Sequence, residues 1–123
     1  MNSHEFVLAI KRSVHDAAIE DMLKLLARPP GRRPHQENLD QSAWYNSLTA
    51  SERTLVRGII TEAVHVAVFG FLCVLDGTRI VERDEVDQSF ELRHSKDPTN
   101  LLNDPNGEML HDIYNALYYA ARS

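Results

Sequence analysis

Apolar and polar positions change their period along this chain, and each change predicts an element. From Ser3 to about Ala27 the apolar residues recur at helical spacing. Phe6, Ile10, Val14, Ala17, Ala18 and Leu25 share one broad face, with Leu8, Ile19, Met22 and Leu26 as a neighbouring stripe. Arg12, Ser13, Asp16, Glu20 and Lys24 take the wet side. This first helix stops at Arg28-Pro29-Pro30-Gly31, because the residue before a proline avoids helical backbone. Residues 29–41 form a polar, proline-punctuated connection across the surface. Residues 40–48 leave room for one or two helical turns, pinned to the core by Trp44, Tyr45 and Leu48.

The longest element runs from Thr49 to Gly77. Thr49-Ala50-Ser51-Glu52 is a capping box, and Asp76-Gly77 is a C-cap pair in which glycine is free to take positive φ. Between Ala63 and Leu75 the one polar side chain is His65. A helix that is apolar all round must be enclosed, so this segment is expected to be the buried axis of the fold. Leu55, Ile59, Val66, Phe69 and Phe71 are the expected core, faced by Val14, Leu25, Ile113 and Leu117. On that expectation Phe71→Asp abolishes soluble expression.

Beyond the helix the period falls to two. Thr78–Glu82 and Ser89–Ser95 alternate as strands, and the charged tract Arg83–Gln88 suits the loop between them. A small antiparallel hairpin is therefore expected over about 78–95, resting on the helices because an isolated hairpin is marginal. Asp97-Pro98 and Asp104-Pro105 each resemble an N-cap with proline at the first helical position. The first starts a short turn, Thr99 to Asn103; the second starts the last helix, to about Ala121. There Met109, Leu110, Ile113, Ala116, Leu117 and Ala120 form a clean apolar stripe. The fold class is mainly α with a minor β component, in a single helical domain over 1–123 around a central buried helix, 50–76.

Composition narrows the role. A net charge of −5 argues against nucleic acid and suits a basic protein partner. The lone Cys73 lies in the apolar helix and reads as a small hydrophobe in a reducing compartment. The N-terminal residues lack the basic-then-apolar order of a signal peptide. The longest apolar run, Val66 to Leu75, is about half of the ~20 residues a membrane span needs. The expectation is a soluble cytoplasmic protein without a membrane partner. The apolar girth of the central helix leaves room for a homodimer, since a small domain can complete its core with a copy of itself.

Two constellations could carry chemistry. Glu-x-x-His occurs at Glu62/His65 and at Glu108/His111 on predicted helices, where residues three apart face the same way. Di-metal carboxylate bundles use two such pairs with further glutamates. Glu20 or Asp21 could add a ligand, and iron, zinc or manganese would suit the set. Against this, Glu91/His94 repeats the spacing on a predicted strand, where it cannot chelate. The second constellation is the outer face of the last helix. His111, Asn115 and Tyr118 align there, flanked by Asp112, Tyr114 and Tyr119. Tyrosine is enriched at binding hot spots, so His111, Asp112, Asn115, Tyr118 and Tyr119 form a candidate partner-binding face. The competing reading packs this face on Trp44 and Tyr45. No nucleophile elbow or glycine-rich phosphate loop occurs. Arg28, Arg32, Arg33 and His35 form a small basic patch that reads as solvated.

Three segments resemble a family of small uncharacterised bacterial proteins: Trp44-Tyr45-Asn46-Ser47-Leu48-Thr49, Phe69–Gly77 and Leu110-His111-Asp112-Ile113-Tyr114-Asn115. The resemblance carries no activity. The favoured reading, from the missing catalytic constellation and the His111/Asn115/Tyr118 face, is a non-catalytic protein-binding domain with no cofactor; size and charge add the analogy to an immunity or antitoxin-like inhibitor of a basic partner. The rival is a small metal-binding helical protein or enzyme using Glu62, His65, Glu108 and His111.

Overall fold

Local signals set the first helical boundaries. The computed structural model describes residues 1–81 and 89–122. Asn2 caps the chain's first helix by accepting the Glu5 N–H at 2.8 Å. The helical run then continues to Ala27, but in three pieces: α1 (Ser3–Ile10), a π-helical segment (Lys11–Asp16) and α2 (Ala17–Ala27). The π segment was not anticipated. It explains which face is buried: Val7, His15 and Ile19 point inward, whereas positions four apart drift by about 40° per step on a regular α-helix. A wider i→i+5 turn holds them in line. Val14 is thereby left 46% exposed instead of joining the core.

The connection leads into α3 (Gln36–Ser47), longer than the one or two turns expected. It packs on α2, where Asn46 Nδ2 and Ser42 Oγ both donate to the carbonyl of Ala27 at the helix end. Those polar contacts turn Trp44 outward, 54% exposed. The capping box then forms as expected. Thr49 Oγ1 accepts the Glu52 N–H, the Glu52 carboxylate accepts the Thr49 N–H, and α4 runs over Ala50–Leu75.

Past α4 the chain wraps rather than extends. Gly77 has φ +77, and the N–H groups of Thr78 and Arg79 both turn back to the carbonyl of Cys73. Residues 78–81 therefore form no strand. Glu82 and the Arg83–Gln88 tract lie outside the described residues. The small antiparallel hairpin is present further along, with β1 (Arg93–His94) paired to β2 (Asp97–Leu101). Arg93 lies opposite Leu101 and His94 opposite Asp97, with an irregularity between the two pairs. Pro98 sits in a strand instead of starting a helical turn; a proline is tolerated at a sheet edge, where its missing N–H costs no bond.

Asp104 also does not start the last helix. Its backbone carbonyl and side chain accept the N–H groups of Gly107 and Asn106, closing a turn. The helix α5 begins only at Leu110 (Leu110–Arg122).

The architecture is mainly α, with α5 lying between α1 and α4 and the hairpin at one end. Val7, Leu72, Leu110, Ile113 and Tyr114 form the core, with Phe6, Phe69 and Leu117 packed around them. By length and composition α4 is long enough to cross a membrane, in contrast to the apolar-run expectation. Its packing against α5 and α2 is compatible with a soluble domain.

Candidate functional site

His15 and His65 converge with two tyrosines where α4, α5 and the π segment meet. His65, from α4, lies flat on the Tyr118 ring, with centroids 3.7 Å apart and planes 10° from parallel. It also stacks on Tyr114 at 5.2 Å and on Phe69 at 5.9 Å. His15, 2% exposed, places Nδ1 2.6 Å from the Tyr114 hydroxyl and meets both tyrosine rings edge-on. Burial is the main reason that both histidines are held below the ordinary imidazole pKa. The charge of Lys11 adds to it for His15, and that of Arg122 for His65. Burial also pushes the Tyr114 phenol up. The cluster is thus neutral at pH 7. His65 Nδ1 has no hydrogen-bond partner.

A polar cleft opens beside it, lined in part by Lys11, His15, Asp16, Arg57, Tyr118 and Arg122. Three cations around one cleft suggest an anion site, but each already has a partner. Lys11 Nζ donates to Asp16 at 2.7 Å, Arg57 to Glu20 at 2.5 Å, and Arg122 to the Tyr118 hydroxyl. Lys11 and Arg57 are thus neutralised by carboxylates, while Arg122 is held by a hydroxyl.

The four candidate metal ligands do not come together. Glu62 is exposed and His65 is committed to the aromatic stack. Glu108 pairs with His4 at 2.7 Å, and His111 pairs with Asp76 at 2.6 Å. Among the described residues no group of three or more His, Cys, Asp or Glu could hold a metal ion.

The Asp76–His111 pair is the most catalytic-looking element. Asp–His pairs orient a general base in hydrolases. Here the second ring nitrogen, Nε2, sits 3.4 Å from the Asp112 carboxylate, with no hydroxyl or thiol bonded to it among the described residues. The pair instead joins two helices. Asp76, at the end of α4, accepts the backbone N–H groups of Leu110 and His111, at 3.1 and 2.9 Å, and so caps α5. Asn103 clasps the same end. Its Nδ2 donates to the carbonyls of Leu75 and Phe90, and its Oδ1 accepts the Leu92 N–H. Asp76 stood out in the sequence merely as a C-cap. Asn103 carried no signal there, because its partners are distant along the chain.

The expected partner-binding face divides. Tyr118 is buried at 3% exposure, His111 is mostly covered, and the Asn115 Oδ1 is enclosed. Asp112 and Tyr119 remain exposed. The face packs on His65 and His15, and Trp44 and Tyr45 take no part in those ring contacts. The coverage that was expected there is absent from α4 instead. Leu55 is 68% exposed, Ile59 71%, Val66 57% and Phe71 63%. These expected core residues, with Val14, face outward: α5 and the first helix cover one side of α4, and on the other the Arg79 side chain lies over Gly70 but leaves these residues open. Phe69, Ile113 and Leu117 do pack in or against the core. An apolar groove of about 280 Å³ continues the open face, between the first helix and α4, lined by Phe6, Ile10, Val14, Ala67 and Phe71 among others.

Comparison of the chain with protein-family models, curated proteins and solved structures gives no match.

Proposed function

We propose that this chain is a non-catalytic protein-binding domain and that its docking surface is the open face of α4. The observation that carries the reading is the exposure of Leu55, Ile59, Val66 and Phe71 along one helix. Scattered single apolar residues are normal on a surface, whereas a contiguous row with an apolar groove beside it marks an interaction site. The chemistry of the polar cluster supports the same reading: its cations are paired and its histidines are held neutral. Asp112 and Tyr119 are exposed on α5, with Tyr119 meeting Tyr118 and His65 edge-on at the rim of the cluster. Small size and the net charge of −5 support a wider role as inhibitor of a basic protein, of immunity or antitoxin type. The free thiol of Cys73 supports the cytoplasm as its compartment.

The test is site-specific photo-crosslinking in cells producing the full chain, with benzoylphenylalanine in place of Ile59 and, as control, of the exposed Arg32. A discrete adduct from position 59 and none from position 32 is expected. No adduct at 59 would overturn the reading.

A further inference from the structure

We infer that the occupant of the open α4 face is a second copy of this chain, packed antiparallel across Ala63. This rests on the docking-surface reading above and names its partner.

The first argument is area. The folded chain exposes 8764 Å², whereas a compact monomer of its mass exposes about 6,700 Å². The eight residues outside the described part account for at most about 1,400 Å² of chain surface. After that allowance an excess of about 700 Å² remains. Stable interfaces take about 800 Å² from each partner, and obligate homodimers take about 1,000 Å² or more. That excess falls within the ~600–1,000 Å² that each partner gives to a standard-size interface.

The second argument is the row itself. Leu55, Ile59, Ala63, Ala67 and Phe71 recur at every fourth position, and all five are exposed. Such a row is a ridge of the kind that interdigitates when two helices cross at about −50° or its antiparallel equivalent. The row is small in the middle and large at the ends. Alanine sits where two crossing backbones come closest, and leucine and phenylalanine sit where the axes diverge.

Its order selects the direction. Antiparallel about Ala63, Ile59 meets Ala67 of the copy, bulk against a gap. Parallel, isoleucine would meet isoleucine and alanine alanine, leaving a clash and a void. In the antiparallel pair Leu55 also comes opposite Phe71 of the copy, at the groove lined by Ile10, Val14 and Phe71. A two-fold interface requires this self-complementarity. Glu62 lies at the edge of the row, where its carboxylate reaches solvent, and the charged flanks stay free for any third partner.

The test is light-scattering mass of the purified full chain at about 100 µM, with cysteine cross-linking. The expected mass is twice 14.0 kDa, falling to 14.0 kDa in Ile59→Asp with helical circular dichroism retained. Ala63→Cys should oxidise to a covalent dimer. Leu55→Cys should not link to itself, since the two copies of that position lie about 24 Å apart along the pair. Wild type, with its buried Cys73, is the control. A monomeric wild type, a dimer that survives Ile59→Asp, or a self-linked Leu55→Cys would each overturn the proposal. So would a monomer that co-sediments with phosphatidylcholine vesicles. A monomer that still gives a photo-adduct at position 59 with a different protein would sink the second copy and leave the docking surface standing. A monomer with no adduct would sink both.

Discussion

Asp76 is the residue with the most connections for its size. One carboxylate, almost fully buried, accepts two backbone N–H groups and the His111 ring. Removing it leaves the first donors of α5 unpaired, at a cost of about 2–3 kcal/mol. Asp76→Ala should therefore lower the urea midpoint accordingly, with most of the lost ellipticity coming from helix. The two buried histidines give stability a pH slope whose sign follows from their environment. Both are held below 6.5 in the folded chain, so the unfolded chain takes up protons first as pH falls. Their contribution is complete above about pH 6.5 and is lost as pH drops below it toward the folded values. Unfolding free energy should be lower at pH 5.5 than at pH 7.5. Glu52, also held low by its capping bonds, acts only below about pH 4.5 and leaves this window clear. His65→Phe keeps the stack and removes the unpaired Nδ1. It should leave the melting temperature unchanged or raised and shrink the pH slope, whereas a steeper slope would mean that the imidazole is stabilised by being charged. At this scale the sequence marked His65, His111 and Tyr118 as special but could not assign them, since each one's partner lies on another helix.

Among the elements, those bounded by local chemistry were legible and those bounded by distant contacts were not. The capping box at Thr49 and the prolines after Arg28 place helix ends close to where they fall. The start of α5 is set by Asp76, 34 residues earlier, so Asp104-Pro105 misled. The π segment was illegible because it exists to bury His15, which a polar/apolar pattern assigns to solvent. The hairpin slid toward the C-terminus for a related reason: Thr78 and Arg79 are consumed in wrapping the end of α4. The open face of α4 reverses one expectation with a direct check. Phe71→Asp should give soluble protein with wild-type helical content, because the ring is largely exposed in the single chain. Loss of expression would place Phe71 in an interior after all.

For the whole molecule, the apolar girth of α4 predicted a helix enclosed by the rest of the chain, and the structure leaves one side of it exposed. The described helices cover one side of α4 alone, so folding of the chain leaves apolar residues of α4 exposed. The topology also dictates an order in time. Val7 and Phe6, near the start, pack in one cluster with Leu110 and Tyr114, near the end, and Ser3 Oγ donates to the carbonyl of Leu102. A chain cut after residue 109 should therefore be largely unfolded by circular dichroism and near-ultraviolet signal, not a stable stub. On the ribosome, at about 5–20 residues per second, α1 then waits several seconds for α5 to be made. From the completion of α4 until α5 is made, α4 lacks its α5 contacts as well. The same helix whose open face we propose as a docking surface is thus the nascent chain's main liability, and holdase chaperones should engage this protein during synthesis.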